Sequence, residues 1–305
     1  MTWYHTLLQH LINGLALGAV YALIALGYTM VYGILQLINF AHGEVFMLGA
    51  YFGLSALLLG QVTGPLPGVW CWWVTGMMLL AILGCSLTGC AIERLAYRPL
   101  RRAPKLSLLI TAIGMSFVLQ NVVMLTYGAQ DRHIPSVMPT IRWTVGGASV
   151  TAMQVVLVCS GLVVMLALHL FIRRTRVGWA MQATAQDPVA ARLMGIPVDR
   201  IIALTFALGS ALAAVGGVLF GLYYATVNFH DGYLMGLKAF TAAVLGGIGN
   251  IPGAMLGGTL LGLLESVGAG YLSSQWKNVF AFVILVLLLI CRPRGLLGER
   301  VVDRD

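Results

Sequence analysis

Residues Gln36–Gly53 read QLINFAHGEVFMLGAYFG, an apolar run in which an asparagine, a histidine and a glutamate fall within six positions. Apolar stretches of similar character recur along almost the whole chain. A helix needs about 20 such residues to cross the hydrocarbon core of a bilayer. The pattern predicts an all-α, polytopic integral membrane protein, in which the polar residues Asn39, His42 and Glu44 require an explanation.

The composition also indicates a membrane protein, with one membrane domain. Hydrophobic residues make up 59% of the chain and charged residues 9%, whereas a soluble domain carries about 25% charged residues. No stretch is left over for a soluble domain, so we predict a single membrane-spanning domain over residues 1–305. The net charge of +8 comes from basic residues interleaved between apolar runs, which argues against a nucleic-acid-binding face.

Basic residues concentrate in three places, and their positions predict the orientation of the chain. Short loops rich in Lys and Arg stay in the cytoplasm. We therefore expect the loop at 94–105, the loop at 173–200 and the tail after Cys291 to be cytoplasmic. The basic residues in these places are Arg94, Arg98, Arg101, Arg102, Lys105, Arg173, Arg174, Arg176, Arg192, Arg200, Arg292, Arg294, Arg300 and Arg304.

Several apolar runs have clear ends, where charged residues, Pro or Gly follow. Two other regions, Leu8–Leu37 and Leu237–Leu272, are too long for one upright span, because 30 helical residues extend roughly 45 Å. The runs with clear ends predict helices at Val69–Ile92, Leu106–Tyr127, Thr151–Ile172, Ile201–Ala225 and Val279–Cys291.

Charge parity indicates that the second long region crosses the membrane twice. The loop before this region should be outside and the basic tail inside. A single crossing of the region, followed by the last helix, would put the tail outside, so the region should cross twice. We predict a short segment to about Gly247, a break at the sequence GGIGNIPG and a full helix from Gly253.

The same reasoning applies to the first long region. It predicts a helix to about Gly27, a short segment to Ile38 and a second full helix from Asn39. About eight to ten membrane segments result, including short or broken ones, and both termini are expected in the cytoplasm.

Broken segments in corresponding positions of two halves are a pointer to a transport path. The hypothesis for this path comprises Asn39, His42 and Glu44 at the first break and Asn250 at the second. A charged residue at mid-membrane costs about 2.5–3.5 kcal/mol or more and is by default a functional candidate. The alternative is structural: Asn39 caps a helix, His42 packs, and Glu44 pairs with a neighbouring helix.

Catalytic signatures do not emerge from the sequence. A Walker A lysine follows glycine, whereas Lys105, Lys238 and Lys277 follow Pro, Leu and Trp. No Ser/His/Asp set, paired carboxylate or metal-ligand spacing is recognisable either. We therefore expect no catalytic residues, metal ligands or bound cofactor in this chain, and any ATP it depends on would be hydrolysed by another subunit.

The basic loop at 173–200 contains a short helix with well-marked ends. Asp187 is a good N-cap, Pro188 suits the first helical position, and Gly195 ends the helix. Its side chains are Val189, Leu193 and Met194, which are apolar, and Arg192, which is polar. So well-defined a helix in a polar loop predicts a docked partner. The alternative is a helix that rests on its own protein or on lipid headgroups.

Several long motifs resemble one family. GYTMVYGILQLINFAHGEVFMLGAY (27–51), ERLAYRPLR (93–101) and KAFTAAVLGGIGNIPGAMLGG (238–258) are similar to the LivH-type permeases of bacterial branched-chain amino acid ABC importers. The resemblance covers nearly the whole chain and implies a multi-pass permease of the inner membrane. Related permeases import urea or short amides, which is the alternative substrate class. The alternative mechanism is an ATP-independent secondary transporter.

The same resemblance implies the partners of the chain. These are a second, LivM-like permease subunit, two ABC ATPase subunits that use ATP, and a periplasmic amino-acid-binding protein, in addition to the lipid bilayer. It also implies that the helix from Asp187 to Gly195 is a coupling helix that docks in a groove of the ATPase.

Overall fold

The computed structural model describes residues 3–63, 70–101, 103–135, 137, 141–292 and 295–298. Within these residues, eight helices are long and apolar enough to cross a membrane. The predicted all-α, polytopic fold is therefore confirmed. The longer helices are α1 (Trp3–Leu35), α2 (His42–Thr63), α3 (Trp70–Ile92), α5 (Lys105–Tyr127), α6 (Ala152–Arg174), α9 (Val198–Tyr224), α10 (Asp231–Gly246), α11 (Ile251–Tyr271) and α12 (Lys277–Cys291).

Short elements connect these helices. A π-helical turn (Glu93–Tyr97) and α4 (Arg98–Leu100) follow α3, while α7 (Arg176–Gln186) and α8 (Pro188–Leu193) lie between α6 and α9. Strand β1 (Arg132–His133) pairs antiparallel with β4 (Thr226–Val227), and β2 (Arg142–Val145) pairs with β3 (Ala148–Thr151). A 3-10 turn (Ser274–Trp276) precedes α12.

The clear spans predicted from hydropathy are all present. Their boundaries differ from α3, α5, α6, α9 and α12 by at most three residues. Hydropathy averaged over a membrane-length window depends on local sequence alone, which explains this agreement. The π-helical turn after α3 was not predicted.

The predicted break near Gly27 is wrong, because α1 is one continuous helix of 33 residues. A single glycine costs a helix only about 1 kcal/mol, and 94% of the most apolar window of α1 is buried. The helix ends at Leu35, and the next residue, Gln36, has a φ of 51°. No short helix precedes Asn39, so the expected correspondence between the two halves fails, and α2 begins at His42 rather than at Asn39.

The second predicted break is confirmed. Helix α10 ends at Gly246, and α11 begins at Ile251, two residues before the predicted start at Gly253. Gly247 and Gly249 have φ angles of 101° and 98°, which side-chain-bearing residues rarely adopt. The chain therefore turns here on glycines that local sequence already marked.

The chain divides into two compact units, each made of separate segments. Unit 1 comprises residues 1–29, 140–166 and 238–305, and unit 2 comprises residues 30–139 and 167–237. In unit 1, α1 and α11 pack so closely that a methyl group on Gly258 would lie 2.5 Å from the backbone nitrogen of Ala22. Backbone contact of this kind is how small residues hold membrane helices together. The single-domain prediction for 1–305 remains a prediction.

Candidate functional site

Asn39 lies in unit 2, just before α2, and its side chain is 4% exposed. Its Oδ1 accepts hydrogen bonds from the backbone N–H of Ala41 at 3.1 Å and from the hydroxyl of Tyr97 at 3.0 Å. A side-chain oxygen that accepts from a free backbone N–H stabilises a helix start. Asn39 thus has a structural task that ties the start of α2 to the π-helical turn.

Glu44 lies in the first turn of α2 and is 1% exposed. Its Oε1 accepts a hydrogen bond of 3.1 Å from the Ser116 hydroxyl of α5. Its Oε2 is buried and has no hydrogen-bond partner among the residues that the structure describes. Nor does any described Lys or Arg form an ion pair with it. This carboxyl group therefore retains an unused acceptor in an apolar setting.

The backbone of α10 packs against this carboxyl group and against the start of α2. A methyl group on Gly43 would lie 2.3 Å from the carbonyl oxygen of Gly232, and one on Gly232 would lie 2.3 Å from Glu44 Oε2. The first turn of α10 therefore covers Glu44 directly.

His42 is the first residue of α2 and is 1% exposed. Two residues correspond to about 200° around a helix, so His42 and Glu44 leave α2 on nearly opposite sides. The structure places Asn39, His42 and Glu44 in one buried segment. It does not bring the histidine and the glutamate to one face, and their joint role in a path remains a prediction.

Asn250 belongs to unit 1 and is the N-cap of α11. Its Oδ1 accepts from the backbone N–H of Gly253 at 3.2 Å, and its Nδ2 donates to the carbonyl oxygen of Leu297 at 2.8 Å. Both ends of the amide are thus used to hold the break between α10 and α11 against the segment that follows α12. Its role in the path also remains a prediction.

A buried charge cluster in unit 1 was not predicted from the sequence. The Nζ atom of Lys238 on α10 donates to Oε1 of Glu265 on α11 at 2.8 Å, and the two side chains are 3% and 0% exposed. Lys277 Nζ lies 3.3 Å from the same oxygen, and the Tyr21 hydroxyl donates to Oε2 at 2.8 Å. Lys238 and Glu265 each interrupt an apolar run, which is the signal that was available. No local pattern indicated that these two residues, 27 positions apart, pair with each other.

The short helix predicted from Asp187 to Gly195 is present as α8. Asp187 Oδ1 accepts from the backbone N–H groups of Val189 and Ala190 at 2.8 and 3.0 Å. Gly195 has a φ of 81°, and the backbone N–H of Ile196 donates to the Ala191 carbonyl at 3.0 Å. This bonding pattern is a Schellman-type helix end.

The apolar side chains of α8 point away from the described chain. Val189, Leu193 and Met194 are 67%, 83% and 82% exposed, whereas Ala191 is 4% exposed and forms the inner side. These three side chains form an exposed apolar patch in the loop between α6 and α9. We call these three residues the α8 surface.

A charge network connects this region to neighbouring helices of unit 2. Asp199, in the first turn of α9, lies 2.5 Å from Arg101, 3.3 Å from Arg98 and 3.7 Å from Arg192 of α8. Arg101 also pairs with Glu93 of the π-helical turn, which is 2% exposed. A cavity of about 450 Å³ beside α8 is lined by Arg98, Arg192 and residues 196–200. Asp199 and Glu93 were not recognised in the sequence.

The comparisons with known proteins agree on one family. The family described as branched-chain amino acid transport system / permease component matches residues 10–289. The high-affinity branched-chain amino acid transport system permease protein LivH of Escherichia coli (strain K12) is 48% identical over 97% of this chain and 97% of its own length. BraD of Pseudomonas aeruginosa, named as the same kind of permease, is 48% identical over 99% of this chain and 98% of its own length. A probable LivH of Methanocaldococcus jannaschii is 28% identical over 90% of this chain and 88% of its own length. This chain therefore belongs to the family of branched-chain amino acid transport system permease components.

Proposed function

We propose that this chain is the transmembrane permease subunit of an ATP-binding cassette importer that carries leucine, isoleucine and valine across the bacterial inner membrane. The observation that carries the proposal is the 48% identity, over almost the full length of both chains, to permeases named for this transport. In this proposal the chain is not catalytic and binds no cofactor, because ATP is hydrolysed by separate subunits.

The proposed assembly contains a second, LivM-like permease, two ATPase subunits and a periplasmic amino-acid-binding protein. The relatives are named as components of transport systems, which supports partner subunits in general. The exposed α8 surface supports the ATPase in particular, since its three apolar side chains are accessible to water in the isolated chain.

In this mechanism α8 transmits the movement of the ATPase to the membrane helices. Met194 caps the end of α8, and only three residues, Gly195–Pro197, separate it from the start of α9 at Val198. The first turn of α9 carries Asp199, which holds Arg101 and, through it, the buried Glu93. Surface ion pairs are worth little singly, so we assign the stronger link to the less exposed Glu93–Arg101 pair.

The test of this coupling is the variant Leu193→Asp. A charge on the α8 surface would have to be desolvated in the groove of the ATPase, which is unfavourable. We expect the variant to insert normally but to lose ATPase association, or hydrolysis coupled to transport, and uptake. The matched control Leu193→Met keeps an apolar side chain of similar volume and should behave as the parent. Normal association, hydrolysis and uptake in Leu193→Asp would refute the docking role.

The orientation that we propose follows from the basic loops and from the continuity of α1. If the loops at 94–105 and 173–200 are cytoplasmic, counting helices back places the N-terminus outside, contrary to our expectation from the sequence. The C-terminal tail remains inside. In a background without the native cysteines, an impermeant thiol reagent should label cysteines at Tyr4 and Asp131 in intact cells and should not label one at Ala103.

We also propose that Glu44 borders the transport path. Its neighbours support a position between the two membrane faces, because Asn39 bonds to Tyr97 beside the basic loop and Glu44 lies against Gly232 beside the opposite loop. His42 and Asn250 are part of the same hypothesis as residues at the two turns. Replacing Glu44 by Gln and measuring uptake by the assembled complex tests it.

Urea or short-amide import and ion-driven secondary transport are the competing functions. Uptake of radiolabelled leucine by reconstituted complex separates them from the proposal. Leucine uptake should require ATP and the binding protein, should persist without an ion gradient, and should resist competition by excess urea or acetamide.

A further inference from the structure

The buried charge cluster of unit 1 has an excess of positive charge, which a purely structural ion pair does not need. Lys238 and Glu265 are 3% and 0% exposed, and Lys277 shares the same carboxylate oxygen. The three side chains together carry one more positive than negative charge when ionised. We propose that Lys238 binds the carboxylate of the transported amino acid, with Glu265 as its counter-ion when no substrate is bound. This inference rests on the proposed function.

Stability alone does not account for the Lys238–Glu265 pair. Removing two charges from water costs as much as their attraction returns, so an apolar pair of similar volume is often at least as stable. Charged residues inside membrane segments are accordingly rare and mark substrate or ion pathways. Both helices that carry this pair also flank the glycine break at 247–250.

The hydrogen bonds of the cluster allow Lys238 to donate to a second carboxylate group. An ammonium group has three donors, and one of them reaches Glu265 Oε1 at 2.8 Å. Glu265 keeps other partners if Lys238 turns away, because Lys277 lies 3.3 Å from Oε1 and the Tyr21 hydroxyl bonds Oε2 at 2.8 Å. A bound carboxylate would leave two cations and two anions, which is a neutral cluster.

The position of the cluster suits a substrate that arrives from outside. Asn250, at the start of α11, bonds to Leu297 in the tail that we propose to be cytoplasmic. Glu265 follows Ile251 by 14 residues, or about 21 Å along the helix, and therefore lies in the outer half of α11. Lys277 begins α12 at the same end and is 35% exposed. The cluster thus lies near the side on which a periplasmic binding protein would release an amino acid.

A binding experiment on the purified complex, without the binding protein, tests the inference. We expect leucine to raise the midpoint of thermal unfolding of the parental complex. Leucinol, which has the same side chain and amino group but no carboxylate, should not. An equal response to both compounds, or no response to leucine, would overturn the proposal without the use of any variant.

The double variant Lys238→Met/Glu265→Leu tests the residues themselves. It leaves neither buried charge unpaired, so the complex should assemble. Its response to leucine should be lost and its uptake should fall by about tenfold or more, because a charged hydrogen bond to the substrate is missing. Lys238→Arg keeps the cation and should retain part of the response. Parental uptake by the double variant would sink the proposal, whereas failure of the parental complex to import leucine would instead refute the proposed function.

Discussion

Two buried glutamates of this protein have opposite surroundings. Glu44 in unit 2 is 1% exposed and receives one hydrogen bond, from the neutral Ser116, while its Oε2 has no hydrogen-bond partner among the described residues. Glu265 in unit 1 is 0% exposed and is held by two lysines and a tyrosine. In the sequence, each is a single acidic residue within an apolar, glycine-containing helix.

The difference teaches that burial alone does not define the role of a carboxyl group. The charge of Glu265 is compensated by two lysines, so removing it leaves the buried Lys238 without a counter-ion, which costs free energy. No described cation pairs with Glu44, so replacing its carboxyl group by an amide should cost the fold little. Four changes test this contrast, and they are ordered by their expected effect on the stability of the assembled complex.

The largest effect is expected for Glu265→Leu. This change leaves Lys238 buried without its counter-ion, and breaking one side of a buried pair costs about 3–5 kcal/mol. The yield of assembled complex and its unfolding midpoint should both fall. Lys238→Met in the same chain should restore much of the loss. If the single variant were as stable as the parent, Glu265 would not be the counter-ion of Lys238.

A smaller effect is expected for Gly43→Ala. The added methyl group would lie 2.3 Å from the carbonyl oxygen of Gly232 and 2.8 Å from the Gly236 Cα, so backbone must move. Overpacking of this kind costs about 1–3 kcal/mol. Gly114→Ala on α5 is the control, because no atom lies within 4 Å of its added methyl group. Equal unfolding midpoints for the two variants would mean that α2 and α10 are not in backbone contact.

Ser116→Ala should cost about 1 kcal/mol, the usual worth of one hydrogen bond. It removes the described side-chain donor to Glu44 Oε1, so it measures how far Glu44 depends on that bond. The measurement is the thermal unfolding midpoint of this variant compared with that of Ser107→Ala. Ser107 lies in the first turn of the same helix and serves as the control. A larger loss at Ser107 would assign the effect to the helix and not to Glu44.

Glu44→Gln should change stability least, by less than about 1 kcal/mol, since the amide oxygen still accepts from Ser116 and no paired cation is released. Uptake should nevertheless fall while the complex stays assembled, because the ionisable carboxyl group beside α10 is gone. Uptake at the parental rate would mean that Glu44 has a structural role only. Loss of assembly would do the same, and it would also remove the contrast with Glu265.

Local features of the sequence were sufficient for much of the fold. Hydropathy located the clear spans to within three residues, and Gly247, Gly249 and Asn250 marked the break before α11. Asp187 and Gly195 marked both ends of α8. These features were predictable because capping bonds, positive φ angles and membrane length all depend on residues close in the chain.

Local sequence was insufficient for α1, where Gly27 suggested a break that packing removed. It was also insufficient for the charged groups, because it showed that they were present but not what they contact. The partners of Glu265 include Tyr21, 244 residues away, and those of Asp199 include Arg101, 98 residues away.

The sequence by itself thus determined that this chain is a helical membrane permease, where most of its helices begin and end, and which family it resembles. Only the tertiary structure decided that Glu265 is paired, that Gly232 lies against Glu44, and that Asp199 joins α8 to its neighbours. The physical reason is the distance along the chain between the residues that interact. Helix formation is governed by hydrogen bonds between residues about four positions apart, whereas the compensation of a buried charge depends on which distant helices pack together.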